Sequence, residues 1–80
     1  MNREIKNMDT KSKILSSAIT EFALHGYEAA SLNVICRNGG ISKGIIYHYF
    51  DSKEDLYICC VSECFEKLTE YLKQNMNKLN

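Results

Sequence analysis

The sequence predicts an all-α fold, in which three helices of one small domain lead into a long fourth helix. Three observations support it. The 80-residue chain contains no proline, so no position forbids a helix. Apolar residues recur at spacings of three and four along most of its length. Glycines and helix-capping residues stand where such helices would end and begin.

The first helix follows a polar segment, residues 1–8, which has no periodicity and is expected to be a flexible, basic arm. Asp9 or Thr10 can cap the helix, and Gly26 ends it because glycine adopts positive φ without steric cost. Between them runs one apolar stripe. It consists of Ile14, Leu15, Ala18, Ile19, Phe22 and Ala23.

Two short helices come next. Ser31 is a good cap for the second helix, which is expected to end at Gly39 and Gly40. Ser42 caps a third helix that continues to about Phe50. The buried face of the second helix is predicted to contain Leu32, Ile35 and Cys36.

The fourth helix is predicted to begin after a cap at Asp51 or Ser52, since Ser52 and Asp55 resemble a capping box. Its apolar spacing continues to about residue 76. The stripe consists of Leu56, Cys60, Cys64, Leu68 and Leu72, flanked by Tyr57, Val61, Phe65 and Tyr71.

The cysteines and histidines give no sign of a metal or disulfide framework. Cys36, Cys59, Cys60 and Cys64 form no CxxC pair and follow no signal peptide, so buried thiols in a reduced compartment are expected. The two histidines fall on different helices, and no cofactor is expected. No apolar run approaches the roughly 18 residues of a membrane span, which makes a cytoplasmic protein the expectation.

The formal net charge is zero, which by itself argues against a nucleic-acid partner. The charges are nevertheless polarised along the chain. Residues 1–13 and 31–53 carry an excess of Lys and Arg, whereas the last third is acidic. A local basic surface is therefore compatible with neutrality overall.

The second and third helices have helix-turn-helix spacing: a short helix, a turn of about three residues containing glycine, and another short helix. Gly40 can take the positive φ of the turn, and the small Cys36 lets the helices approach. Ile41 and Ile46 fill the angle between them. The three-helix domain is thus predicted to be homeodomain-like.

The third helix carries more apolar surface than its core contact needs. Ile46 and Phe50 share the face toward the core, while Ile45 and Tyr49 form a second stripe turned by about 100°. Gly44 costs roughly 1 kcal/mol relative to alanine inside a helix. A surface pressed against DNA explains both features, because Gly44 lets the backbone approach and Ile45 can meet a thymine methyl group.

Polar groups complete a predicted DNA-binding site. Lys43 can reach a guanine edge or a phosphate, and the hydroxyls of Tyr47 and Tyr49 suit phosphate oxygens. Lys53 and Ser31 lie at helix N-termini, which favour anions.

Two segments, KSKILSSAITEFALHGYEAASLNVI and GGISKGIIYHYFDSKEDLY, resemble the N-terminal domain of TetR-family transcriptional regulators between about Lys11 and Tyr57. The resemblance implies a phosphate contact at Ser31. Ile45 stands where threonine is common, so the operator preference is expected to depart there. Together with Ser31 and the cap Ser42, the residues expected to contact DNA are Asn33, Lys43, Gly44, Ile45, Tyr47, His48, Tyr49 and Lys53.

The resemblance also implies an organisation and a function. Residues 9–55 would form the DNA-binding domain with a recognition helix at about 42–50, and residues 52–80 would lead to a C-terminal domain absent from this chain. The expected function is a repressor that binds a palindromic double-stranded operator as a homodimer. Its small-molecule effector would bind the absent domain.

Two other classes of function are compared with the features of this sequence. A small helical protein-interaction module would use Ile45, Tyr49 and the stripe of the fourth helix to bind a partner protein. An enzyme is not expected, because the sequence shows no carboxylate pair, no nucleophile with a base and no phosphate-binding loop.

Overall fold

The computed structural model describes the backbone of residues 9–79 and the side chains of residues 9–76, so the predicted arm at residues 1–8 lies outside it. The described chain is built from helices and contains no strand, which confirms the all-α prediction. The helices are α1 (Thr10–Ala29), α2 (Leu32–Gly39), α3 (Lys43–Tyr49) and α4 (Lys53–Leu79).

The α1 helix begins and breaks where the sequence indicates. Of the two candidate caps, Asp9 serves: its carboxylate accepts a hydrogen bond of 2.8 Å from the Ser12 N–H, which lowers the pKa of Asp9. Gly26 has φ 81° and interrupts the helical backbone. One more turn follows before Ala30, whose N–H donates to the Gly26 carbonyl.

The helix-turn-helix is closed by two serine caps and one glycine. The Ser31 hydroxyl oxygen accepts from the Val34 N–H at 3.3 Å, and that of Ser42 accepts from the Ile45 N–H at 3.2 Å. Gly40 lies in the left-handed region, with φ 66° and ψ 37°. The predicted turn between α2 and α3 is confirmed.

The start of α4 is a variant of the capping box. The Ser52 hydroxyl oxygen accepts from the Asp55 N–H at 3.1 Å. The Asp55 carboxylate reaches back one residue further than expected, to the Asp51 N–H at 3.0 Å. Of the two candidate caps, Ser52 therefore serves, and Asp51 takes part through its backbone N–H.

The core lies where α1 crosses α2 and α4, while α3 packs against α2. Apolar residues from all four helices and their connections meet there. The buried members are Ile14, Ala18, Phe22, Ala30, Ile35, Ile41, Ile46, Phe50, Leu56 and Cys60.

Only the first two turns of α4 bury their apolar stripe, at Leu56 and Cys60. The prediction of four buried thiols is wrong for Cys64, which is exposed because α4 there lies along an open groove; Cys36 and Cys59 are half-buried. Burial raises the pKa of the Cys60 thiol to about 12, and the neighbouring thiols add to this effect.

Candidate nucleic-acid interface

The α3 helix presents two different apolar faces. Ile46 and Phe50 are 1% and 2% exposed and hold the helix against the core. Ile45, Tyr47 and Tyr49 are each between 43% and 47% exposed on the remaining surface. Large apolar side chains left half in solvent on a seven-residue helix form the surface that the sequence singled out.

Gly44 lies in this exposed surface, and the fold does not require it to be glycine. A Cβ atom there would meet nothing nearer than the Ser42 hydroxyl oxygen, at 4.0 Å. The exposed side chain of Lys43 precedes it, and the rings of His48 and Tyr49 pack edge to face at 5.3 Å between centroids. The open space at Gly44 leaves room for another molecule to approach the backbone.

The N-terminus of α2 is held by a residue that the sequence did not single out. Glu21 is buried, and its Oε2 accepts a hydrogen bond of 3.0 Å from the Ser31 N–H. Its Oε1 lies 3.8 Å from Nε2 of His25. The Ser31 hydroxyl accepts from Val34, which leaves its own proton free to be donated.

Lys53 is partly engaged by the protein itself. Its Nζ donates to the carbonyl oxygen of Glu28 at 3.3 Å and lies 4.8 Å from the centroid of the Tyr27 ring. That ring packs against Phe22 and Tyr57. An ammonium group has three donors, so a phosphate contact at Lys53 would use a side chain already held in place.

A close approach of α2 to α1 occurs at Gly39, a contact that the sequence did not indicate. A Cβ atom on Gly39 would lie 2.8 Å from Cδ1 of Ile41 and 3.2 Å from Cβ of Ser17. Ser17 also donates a hydrogen bond of 2.8 Å to the Ile35 carbonyl. The sequence indicates only a helix end at Gly39, because nothing in the spacing shows that this glycine packs against Ser17 and Ile41.

Charge around this surface is one-sided. Residues 31–50 contain Arg37 and Lys43 and no acidic residue, and the next cation, Lys53, follows the cap of α4. The exposed residues Asn33 and Ser42 add polar groups on the same segment. Such a surface attracts phosphates although the whole chain is neutral.

The described residues form neither a metal-binding cluster nor a membrane-spanning helix. Within residues 9–79, no group of three or more His, Cys, Asp or Glu side chains is placed to hold a metal ion. None of the helices described has the length and apolarity needed to cross a membrane.

Comparison with known proteins identifies the domain. The family model described as bacterial regulatory proteins of the tetR family matches residues 14–59. The biofilm operon icaADBC HTH-type negative transcriptional regulator IcaR of Staphylococcus aureus is 39% identical over 70 residues, covering 88% of this chain and 38% of that protein. IcaR of Staphylococcus epidermidis is 35% identical over 65 residues, covering 81% and 35%. The chain thus spans less than two fifths of the length of these relatives, and it belongs to the TetR family of helix-turn-helix DNA-binding transcriptional regulators.

Proposed function

We propose that this chain is the DNA-reading part of a repressor that binds a palindromic operator as a homodimer. The main support for the proposal is the outward face of α3. There, half-exposed Ile45, Tyr47 and Tyr49 lie beside Gly44, at which the fold would also accept a side chain. A major groove admits a helix, and its floor offers both thymine methyl groups and hydrogen-bonding base edges.

The exposed residues divide into two groups by the chemistry they offer. Lys43, Gly44, Ile45 and His48 are assigned to the base edges, because they lie on the first turns and outward face of the recognition helix. The phosphate contacts are assigned to Ser31, Asn33, Ser42, Tyr47, Tyr49 and Lys53, which offer hydroxyl, amide and ammonium donors.

Repression, dimerisation and an effector ligand are proposed from the relatives. The proteins that match most of this chain are named negative transcriptional regulators. The matched region covers 38% of the Staphylococcus aureus protein, so most of its length lies outside the DNA-binding domain. Helix-turn-helix dimers bind two half-sites one helical turn apart, and a ligand-binding and dimerisation region would supply that link. Such a regulator would act in the bacterial cytoplasm, at the nucleoid.

The test is selection of duplexes from a randomised DNA pool by the 80-residue chain at low salt, followed by measurement of Kd. A double variant, Lys43→Ala with Tyr47→Phe, is expected to weaken binding to the selected duplex at least tenfold. The matched control changes the same residue types on exposed α4, Lys67→Ala with Tyr71→Phe, and should leave Kd unchanged. If not even a single half-site is enriched, or if the Lys43→Ala, Tyr47→Phe variant binds like the parent, the regulator proposal fails.

Salt dependence separates DNA binding from the second candidate, a protein-interaction module. That candidate is favoured by an open apolar groove of about 380 Å³ between α1 and α4, lined in part by Phe22, Val61 and Phe65. Each cation that neutralises a phosphate contributes about −0.9 to the log–log salt slope, so Lys53 alone predicts about −1 per domain and a steeper slope would add Arg37 or Lys43 to the phosphate contacts. An apolar protein interface would show almost no slope.

A further inference from the structure

Glu21 is a buried carboxylate in a part of the protein that is expected to meet DNA. Only 6% of its surface is exposed, and among the described residues no other charged side chain is buried. We propose that Glu21 is a positioning residue for DNA binding: it holds the N-terminus of α2, through the Ser31 N–H, in the orientation in which that helix end receives a backbone phosphate. The inference rests on the proposed function.

The geometry ties α1 to the cap of α2. Glu21 Oε2 accepts the Ser31 N–H at 3.0 Å, across ten residues of chain. Between them the backbone reverses at Gly26, whose carbonyl accepts the Ala30 N–H at 3.1 Å. The direction of α2 is therefore fixed at its cap residue, Ser31, by a group on the preceding helix. Glu21 Oε1 faces His25 at 3.8 Å, on the same helix.

The remaining donors of the first turn of α2 are left for a ligand. The Ser31 hydroxyl and carbonyl oxygens accept the N–H groups of Val34 and Ile35. The N–H groups of Leu32 and Asn33 belong to the first turn, where a helix offers no internal acceptor. A phosphate at this helix end would accept those N–H groups and the Ser31 hydroxyl proton.

A carboxylate is a poor choice at this place on electrostatic grounds alone. Its negative charge opposes a phosphate nearby, and burying a charged group is unfavourable unless hydrogen bonds compensate. The carboxylate contributes through its position, because its oxygen accepts the Ser31 N–H from α1. An uncharged acceptor of the same length, as in Glu21→Gln, should therefore preserve positioning, whereas Glu21→Met keeps the length and lacks the acceptor.

A role confined to fold stability predicts different behaviour. In that case Glu21→Met would lower Tm, but any molecules that remain folded would bind DNA with unchanged contacts. A positioning role predicts loss of one particular phosphate contact in protein that is folded. The measurement must therefore report contacts one phosphate at a time.

The experiment uses the 80-residue chain and the duplex it selects, with single phosphates replaced in turn by neutral methylphosphonate. The phosphate that α2 contacts is the one whose replacement weakens the parent by about fivefold and weakens the Ser31→Gly variant less, because that variant lacks the hydroxyl donor but keeps the N–H groups. All titrations are made well below each variant's Tm, with helicity checked by circular dichroism. Hydrogen exchange of the Ser31 amide reports the Glu21 bond directly.

We expect Glu21→Gln to keep the fivefold effect at that phosphate and to bind at least as tightly as the parent. Glu21→Met should bind about tenfold more weakly, lose the effect at that phosphate alone, and expose the Ser31 amide to exchange. If Glu21→Met does not fold, Glu21→Asp, whose carboxylate is one methylene shorter, is expected to behave in the same way.

A folded Glu21→Met or Glu21→Asp protein that binds with the parent's Kd and phosphate pattern would overturn the inference while leaving the proposed function intact. A parent chain that selects no duplex would overturn both. A Glu21→Met protein that binds every duplex more weakly than the parent by the same factor, whichever phosphate is replaced, would likewise reject a positioning role, because such a result indicates a general loss of folded protein.

Discussion

Replacing Gly44 with alanine should stabilise this protein and weaken its binding to DNA. Gly44 lies in the first turn of α3, and a Cβ atom there would have only the Ser42 hydroxyl oxygen near it, at 4.0 Å. Alanine is favoured over glycine in helices by about 0.5–1 kcal/mol. For a domain of this size that difference raises Tm by about 2–8 °C.

The effect on DNA binding has the opposite sign. If the α3 backbone at Gly44 touches DNA, the added methyl group must displace one of the two surfaces, and overpacking of that kind costs about 1–3 kcal/mol. The expected rise in Kd is at least about fivefold. Thermal unfolding followed by circular dichroism gives Tm, and titration of the selected duplex gives Kd.

A control separates affinity from stability. Ser62→Ala, at an exposed position of α4, also replaces a residue with a better helix former. It should raise Tm slightly and leave Kd unchanged. Close approach of DNA at Gly44 is refuted if Gly44→Ala raises Tm while Kd stays at the parent value. A fall in Tm would refute the assignment of open space at Gly44.

Three further predictions concern stability and thiol chemistry. Gly40→Ala should destabilise the domain by about 1–2 kcal/mol in denaturant unfolding, because φ is 66° there, whereas Gly40→Asn should cost less; equal losses would contradict this. Asp9→Ala should lower Tm at pH 7, because the variant lacks the carboxylate that accepts the Ser12 N–H. The difference in Tm between parent and variant should shrink as the pH falls below 3.8 and through the lowered folded-state pKa of Asp9, since the carboxylate is then protonated; a Tm difference that does not change with pH would contradict the cap. At pH 8 an alkylating reagent should modify Cys64 much faster than Cys60, as mass spectrometry of peptides would show, and equal rates in folded protein would contradict the burial of Cys60.

Local signals were sufficient to predict the helices. Each boundary depends on a group within four residues of it, such as the Ser42 hydroxyl at α3 or the positive φ of Gly40. Apolar spacing likewise identified the two faces of α3, with Ile46 buried and Ile45 exposed. These features follow from backbone geometry and burial within single segments, which a sequence displays directly.

Contacts between helices could not be predicted in the same way. Periodicity gives the face that a residue occupies but not the residue it meets, and Gly39 meets Ser17 across 22 positions of the chain. Lys53 meets the Glu28 carbonyl across 25 positions. The α4 stripe shows the same limit at Cys64: spacing predicts an apolar side but not what covers it.

The buried Glu21 links the local helix signals to the contacts between helices. A carboxylate beside the apolar stripe of α1 gives no local signal of burial, yet its oxygen completes the cap that Ser31 begins on α2. Local caps set where α2 starts, and the contact from α1 sets where it points. Because recognition by a helix-turn-helix depends on the direction of its helices relative to the groove, residues that act between helices are expected to affect binding as well as those that touch DNA.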